Sequence, residues 1–230
     1  MNRQTLRARV AGAAGDIEVA VDRPAHTPRG LAVIAHPHPL HGGTLDNKVA
    51  QTLARAWLQL GWACVRPNFR GVGASQGTFD GGRGETDDVA LVLAHHAAAL
   101  GEELGLAPDE VPLALAGFSF GSFVVANLAR RLHDSGRALD HLTLVGPAVV
   151  NFPFPLVRNA EGAVAQRVLV IHGEHDDVVP LGPVLDWARP QQQPVLVAPG
   201  AGHFFHGLLT PLKDWVCAWH AEPASTLTGS

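Results

Sequence analysis

Short apolar runs separated by helical patterns constrain this chain more than any other feature in it. "LAVIAH" (31–36), "WACVRP" (62–67), "VPLALAG" (111–117), "HLTLVG" (141–146), "RVLVIHG" (167–173) and "PVLVAPG" (194–200) are apolar and of strand length. Helical periodicity fills the intervals: residues 47–61 ending on Gly61, 85–101 with acidic residues in the first turn, 122–136, a short stretch at 181–189, and 207–220. A strand that is apolar along its whole length has both faces covered. Strand followed by helix, repeated, predicts an α/β chain with a mostly parallel sheet between two helical layers. Residues 5–10 and 16–21 read as a hairpin around "AAG", which brings the sheet to roughly eight strands.

At 230 residues and 47% hydrophobic composition, the chain can bury one sizeable core. One domain is expected over 1–221, with 222–230 as a flexible tail. A formal charge of −4 offers no basic stripe for phosphate backbones, so nucleic acid is not expected as a partner. No run approaches the roughly 18 apolar residues of a spanning helix, and no membrane association is expected. Charges stand where a signal peptide would carry its apolar region, which points to the cytoplasm. Cys64 and Cys217 read as reduced thiols, in line with that location.

The pattern G-x-S-x-G occurs twice, as "GASQG" (73–77) and "GFSFG" (117–121). A serine made reactive by this motif needs a strand before it, a sharp turn, and a helix after it. Ser119 meets that demand, with "VPLALAG" entering and a helical pattern leaving. Ser75 sits in a glycine-rich stretch that no helix follows and reads as a loop serine. A helix N-cap is the plain structural alternative for Ser119. A serine hydroxyl is a weak nucleophile and needs a base, itself oriented by an acid. Past the strand at 167–173 comes "EHDDVVP", with Asp176 and Asp177. Past the strand at 194–200 comes "AGHFFHG", with His203 and His206.

Serine, acid and histidine in that order, each after a strand, make the chain similar to the α/β-hydrolase superfamily over nearly its full length. The superfamily's G-x-x-D-x-x-V-P acid loop matches Gly173, Asp176, Val179 and Pro180, which implies Asp176 as the acid and leaves Asp177 a solvated turn carboxylate. "GAGHFF" resembles its histidine loop and implies His203, with His206 at the start of the last helix. "HPHPLHGGTLDNKV" and "RPNFRGVGASQGTFDGGRGETDD" further resemble a subgroup of small, lidless bacterial hydrolases described mainly as esterases. In that subgroup Arg70 would tie loops together near the site.

The loop after the strand at 31–36 is where such an architecture supplies half of its oxyanion hole. In "HPHP", Pro37 and Pro39 have no N–H, which leaves the His38 backbone N–H as the donor, with the Phe120 N–H as the second. A metal reading competes for this loop, because His36, His38 and His41 have the opening spacing of the H-x-H-x-D-H zinc motif. That motif's aspartate is replaced by Leu40, so no metal and no cofactor are expected.

These residues imply a serine hydrolase acting on a small or medium acyl ester through an acyl-enzyme. Lactone, thioester or amide cleavage on the same groups, and a non-catalytic scaffold, stay open. The segment 147–166 is too short for a helical cap, and Phe152, Phe154 and Leu156 are expected as a pocket wall, with a packed crossover loop as the alternative. A small-molecule ester is the expected partner, and a homodimer through a sheet edge is left open.

Overall fold

The computed structural model describes residues 5–159 and 162–221. Its sheet has eight strands: β1 (Leu6–Gly12), β2 (Gly15–Asp22), β3 (Leu31–Ala35), β4 (Ala63–Pro67), β5 (Leu113–Phe118), β6 (His141–Val145), β9 (Arg167–Gly173) and β10 (Val195–Ala198). A separate two-residue ladder pairs β7 (Arg158–Asn159) with β8 (Gly162–Ala163). The order across the main sheet is β1-β2-β4-β3-β5-β6-β9-β10. β1 and β2 pair antiparallel, β2 joins β4 antiparallel, and every later pair is parallel.

The helices are α1 (Lys48–Gln59), α2 (Arg83–Leu104), α3 (Phe120–Asp134), α4 (Leu181–Ala188) and α5 (Leu209–His220). Side chains alternate across each strand with a period of two. On β3, Leu31, Val33 and Ala35 join one core with Val89 and Val92 of α2 and Val124 and Leu128 of α3. Ala32 and Ile34 of the same strand join the other core, with Leu53 and Trp57 of α1 and Leu212 and Val216 of α5. Two buried layers explain why these strands are apolar at every position. This is the fold expected from the alternation.

Two boundaries differ from the sequence reading for local reasons. α2 does not stop at Gly101 but runs a turn further to Gly105, whose φ of +69° and N–H bond to the Gly101 carbonyl make it the left-handed cap. α3 begins at Phe120, directly after Ser119, two residues earlier than its apolar periodicity suggests. The expected tail, 222–230, lies outside the described residues.

A buried ion pair locks the N-terminal hairpin to the parallel strands. Arg66 on β4 donates to Asp22 Oδ2 at 3.0 Å and to the Leu45 carbonyl at 2.7 Å, and Leu45 N–H in turn donates to Asn68 Oδ1 at 2.8 Å. Arg66 and Asp22 are 4% and 5% exposed, so removing Asp22 leaves the buried guanidinium with only the longer contact to Asp46, at 3.9 Å, as a carboxylate partner among the described residues. Asp22→Ala should cost about 3–5 kcal/mol of unfolding free energy, read as a lower urea midpoint at unchanged m-value.

Candidate active site

Ser119 stands between β5 and α3 with φ +55° and ψ −118°, a backbone conformation that L-residues adopt only under constraint. The constraint is visible in its neighbours. A Cβ on Gly117 would overlap the Gly121 carbonyl, and a Cβ on Gly121 would overlap the carbonyls of Ala35 and His36. Strand, turn and helix therefore meet backbone to backbone, and the turn between them is forced tight.

Ser119 Oγ is 3.0 Å from His203 Nε2, and His203 Nδ1 is 2.7 Å from Asp176 Oδ2. A carboxylate only accepts, so Nδ1 carries the proton and Nε2 is left to accept from the serine hydroxyl. The other Asp176 oxygen accepts the N–H groups of Val178 (3.0 Å) and Val179 (2.7 Å). All three side chains are buried. Burial alone would raise the Asp176 pKa, but the bonds from His203 and Val179 outweigh it and hold the group below the ordinary carboxylate range. Chemically, the line of contacts can withdraw a proton from Ser119 and keep the resulting imidazolium beside a negative charge.

The other candidates separate cleanly. Asp177 and His206 are exposed. Ser75 is buried as a loop pin, donating to the Asn68 carbonyl (2.8 Å) and accepting Glu18 N–H (2.9 Å). Arg70 forms a two-pronged ion pair with Asp88 of α2 at 2.8 and 2.9 Å, which ties the loop after β4 to that helix.

The three histidines after β3 have different fates. His36 is fully buried: its Nδ1–H donates to the Pro37 carbonyl at 2.7 Å and its Nε2 accepts Phe69 N–H at 3.0 Å. With both nitrogens engaged it is a core residue. His38 Nδ1 accepts Leu40 N–H at 3.2 Å, so the neutral ring carries its proton on Nε2. Burial, and then the neighbouring His41, lower the His38 pKa. His41 is exposed. Among the described residues no three His, Cys, Asp or Glu side chains converge as a metal-binding group.

A cleft of about 670 Å³ opens over Ser119 and His203. Pro37, His38, His41 and Phe120 line it, together with Asn151, Phe152, Val178 and Phe204. Phe120 is the first residue of α3, so its N–H has no acceptor within the helix. The His38 ring packs 5.1 Å from Phe120 and 5.9 Å from Phe152, centroid to centroid.

Two of the three expected wall residues are not there. Phe154 packs instead on Trp187 (5.2 Å) and Phe123 (6.0 Å), and Leu156 is exposed; neither lines the cleft. The Phe154 N–H donates to the Phe152 carbonyl at 2.7 Å, a tight turn after which both rings still pack against Phe123 but only Phe152 lines the cleft. Phe204 is a further lining residue, and its place beside His203 is the sequence signal for it.

The model of the family described as serine aminopeptidase, S33, matches residues 27–168. An uncharacterised protein of Rickettsia prowazekii is 30% identical over 187 residues, 76% of this chain and 71% of that protein. An α/β serine hydrolase homologue from Coxiella burnetii shares 36% identity at a TM-score of 0.78, covering 96% of this chain and 99% of its own. An α/β serine hydrolase without a lid from Xanthomonas campestris shares 31% identity at a TM-score of 0.80, with 97% and 99% covered. Among the described residues no helix is long and apolar enough to cross a membrane.

The buried histidines predict acid sensitivity. Burial lowers the His36 pKa to about 4, and partial burial, with His95 beside it, lowers that of half-buried His96 to about 4, whereas an unfolded histidine titrates near 6.5. Between those values the unfolded chain binds protons that the folded chain refuses. The stability these groups contribute is therefore complete above about pH 6.5 and drains away as the pH falls towards 4. Urea midpoints should decline over that window, and in His36→Gln the decline should be smaller by about 3 kcal/mol.

Proposed function

The chain belongs to the α/β-hydrolase superfamily, in the family described as serine aminopeptidase, S33, and from that premise we propose that it is a carboxylic-ester hydrolase using Ser119, His203 and Asp176. The observation that carries this reading is the continuous line of contacts from Ser119 Oγ through His203 to Asp176, with the serine held at φ +55° in an open cleft.

In the proposed reaction Ser119 Oγ attacks the ester carbonyl as its proton passes to His203 Nε2. The tetrahedral oxyanion is met by the backbone N–H groups of His38 and Phe120, an arrangement in which one lost donor typically costs about 10²–10³ in rate. Collapse releases the alcohol, protonated by His203, and leaves the acyl group on Ser119. A water molecule, deprotonated by His203, then attacks the acyl carbonyl and frees the acid. Asp176 keeps the histidine in its Nδ1–H tautomer and stabilises the imidazolium throughout.

The lining of the cleft favours a small or medium neutral ester. No Asp, Glu, Lys or Arg stands among its lining residues. A neutral acyl group enters without an unmatched charge, whereas a dicarboxylate would find no cation. The same observation weighs against an aminopeptidase role: a free α-amino group held in a cleft calls for a carboxylate, and the described lining carries none. Cys64 and Cys217 as free thiols accord with a cytoplasmic location.

Fluorophosphonate labelling followed by mass spectrometry tests the reading without knowledge of the natural substrate. Modification is expected at Ser119, absent in His203→Ala. Turnover of 4-nitrophenyl acetate or butyrate should fall by about 10⁴-fold or more in Ser119→Ala. Asp177→Ala and His206→Ala should stay near the parent rate. An unlabelled, fully folded parent protein would refute the proposal.

A further inference from the structure

One buried ionisable group near the site has no part in the reaction as written. His172 lies inside β9, fully buried, four residues before Asp176. Its Nε2 is 2.8 Å from the Val179 carbonyl and 3.5 Å from Asp176 Oδ2. Both neighbours are acceptors, so Nε2 carries the ring proton. Nδ1 is then a bare lone pair, and it is buried with no hydrogen-bond partner.

An orphaned buried acceptor destabilises the fold, and an aliphatic side chain would occupy the same space without one. What histidine supplies there is the Nε2–H. We propose that His172 is a positioning residue for Asp176, its N–H fixing the acid loop and moderating the carboxylate that faces His203. This rests on the hydrolase reading above.

The geometry gives His172 two handles on the acid. Through the Val179 carbonyl it holds the residue whose own N–H donates to Asp176 Oδ1 at 2.7 Å. Through space its Nε2 lies 3.5 Å from Asp176 Oδ2, the oxygen bonded to His203. At 3.5 Å this second contact is an electrostatic influence and not a full hydrogen bond. Asp176 and His203 are the ionisable groups felt by the ring. Burial disfavours its charged form more strongly than Asp176 favours it, so the ring stays neutral and does not compete with His203 for the carboxylate.

The Nε2–H hydrogen, bonded to the Val179 carbonyl but close beside Asp176 Oδ2, puts partial positive charge there that competes with the bond to His203. Removing it should let Asp176 hold the imidazolium proton more tightly and raise the pH of the acid limb of Ser119 labelling. A residue that only filled the core would, on truncation, loosen Asp176 and lower that pH, or leave it unmoved.

The experiment follows the second-order rate of fluorophosphonate attachment to Ser119 against pH, by intact mass, in the full-length chain. His172→Leu removes the donor. His172→Asn places its amide nearer the Nδ1 position, and His172→Gln returns an N–H to the place of Nε2. Expected are a rate loss of about 10-fold or more in the Leu and Asn variants, an acid limb moved up by about 0.5 pH unit, and recovery of both in the Gln variant. Thermal melts identify folded variants, and the Asn and Gln pair decides the matter if the Leu variant unfolds. A parent-like rate and profile in folded Leu or Asn variants would overturn the proposal. So would a slow variant whose limb stays put or moves down and that Gln does not rescue. An unlabelled parent protein would instead remove the hydrolase reading itself.

Discussion

The close approach of backbone to backbone at the start of α3 is the constraint on which the rest of the site depends. Gly117 and Gly121 flank Ser119, and neither position has room for a Cβ: one is closed by the next turn of the chain, the other by the end of β3. With the strand and helix pressed this close, the connecting residue must turn within a single peptide unit, and Ser119 adopts φ +55° in consequence. Holding a non-glycine residue there costs about 1–3 kcal/mol, a strain that persists only where the surroundings over-determine it. Here they do, through two adjoining parallel strands and the cores on both faces of the sheet. The same contact brings the carbonyl end of β3 beside the first turn of α3, so the loop carrying His38 and the helix carrying Phe120 come to border one cleft.

Four histidines near this point show how far environment, and not residue type, assigns a role. His36 and His172 are both fully buried and both have depressed pKa values, dominated by desolvation. His36 has a partner for each nitrogen and simply bridges β3 to Phe69, whereas His172 has one nitrogen satisfied and one orphaned. His203 is also buried, yet its nitrogens face a carboxylate on one side and a hydroxyl on the other. His38 is only partly covered and carries its proton on the nitrogen away from Leu40. The H-x-H-x-x-H spacing that suggests a metal in the sequence thus resolves into one core residue, His36, and two that border the cleft, His38 and the exposed His41.

The fold was legible because its signal is periodic. Strands such as Leu31–Ala35 are buried on both faces, and their unbroken apolar character can be read without knowing which strand they pair with. The loop bearing Asp176 was legible because it follows such a strand, and the loop bearing His203 because it follows the apolar edge strand β10, which is only partly buried. Asp176 is picked out from Asp177 physically as well: it is buried and receives two backbone N–H bonds, while its neighbour is exposed. Where no regular element set the direction of a side chain, the reading failed. Phe152, Phe154 and Leu156 share parity and would share a face in a strand, but the tight turn from Phe152 to Phe154 breaks the alternation, and only Phe152 reaches the cleft. His172 was illegible for a different reason. Its position in β9 says that it is buried, but its role depends on a carboxylate that reaches it only when the acid loop folds back.

An open cleft with no charged side chain in its described lining limits how a developing negative charge can be met. Water entering such a cleft weakens any single electrostatic contact, and among the described residues no cap helix stands between β6 and β9 to exclude that water. What remains is preorganisation: donors fixed in place before the charge appears, which need no rearrangement when it does. The proposed donors are of that kind. Phe120 N–H belongs to the first turn of a 15-residue helix, whose dipole adds positive potential at that end. His38 N–H lies between two prolines whose φ is fixed by their rings. Both are main-chain groups, set by the same strand–helix contact that strains Ser119. In the proposed reaction the nucleophile and the charge-stabilising donors are therefore positioned by one piece of backbone, and a cap would add selectivity to that arrangement without being needed to assemble it.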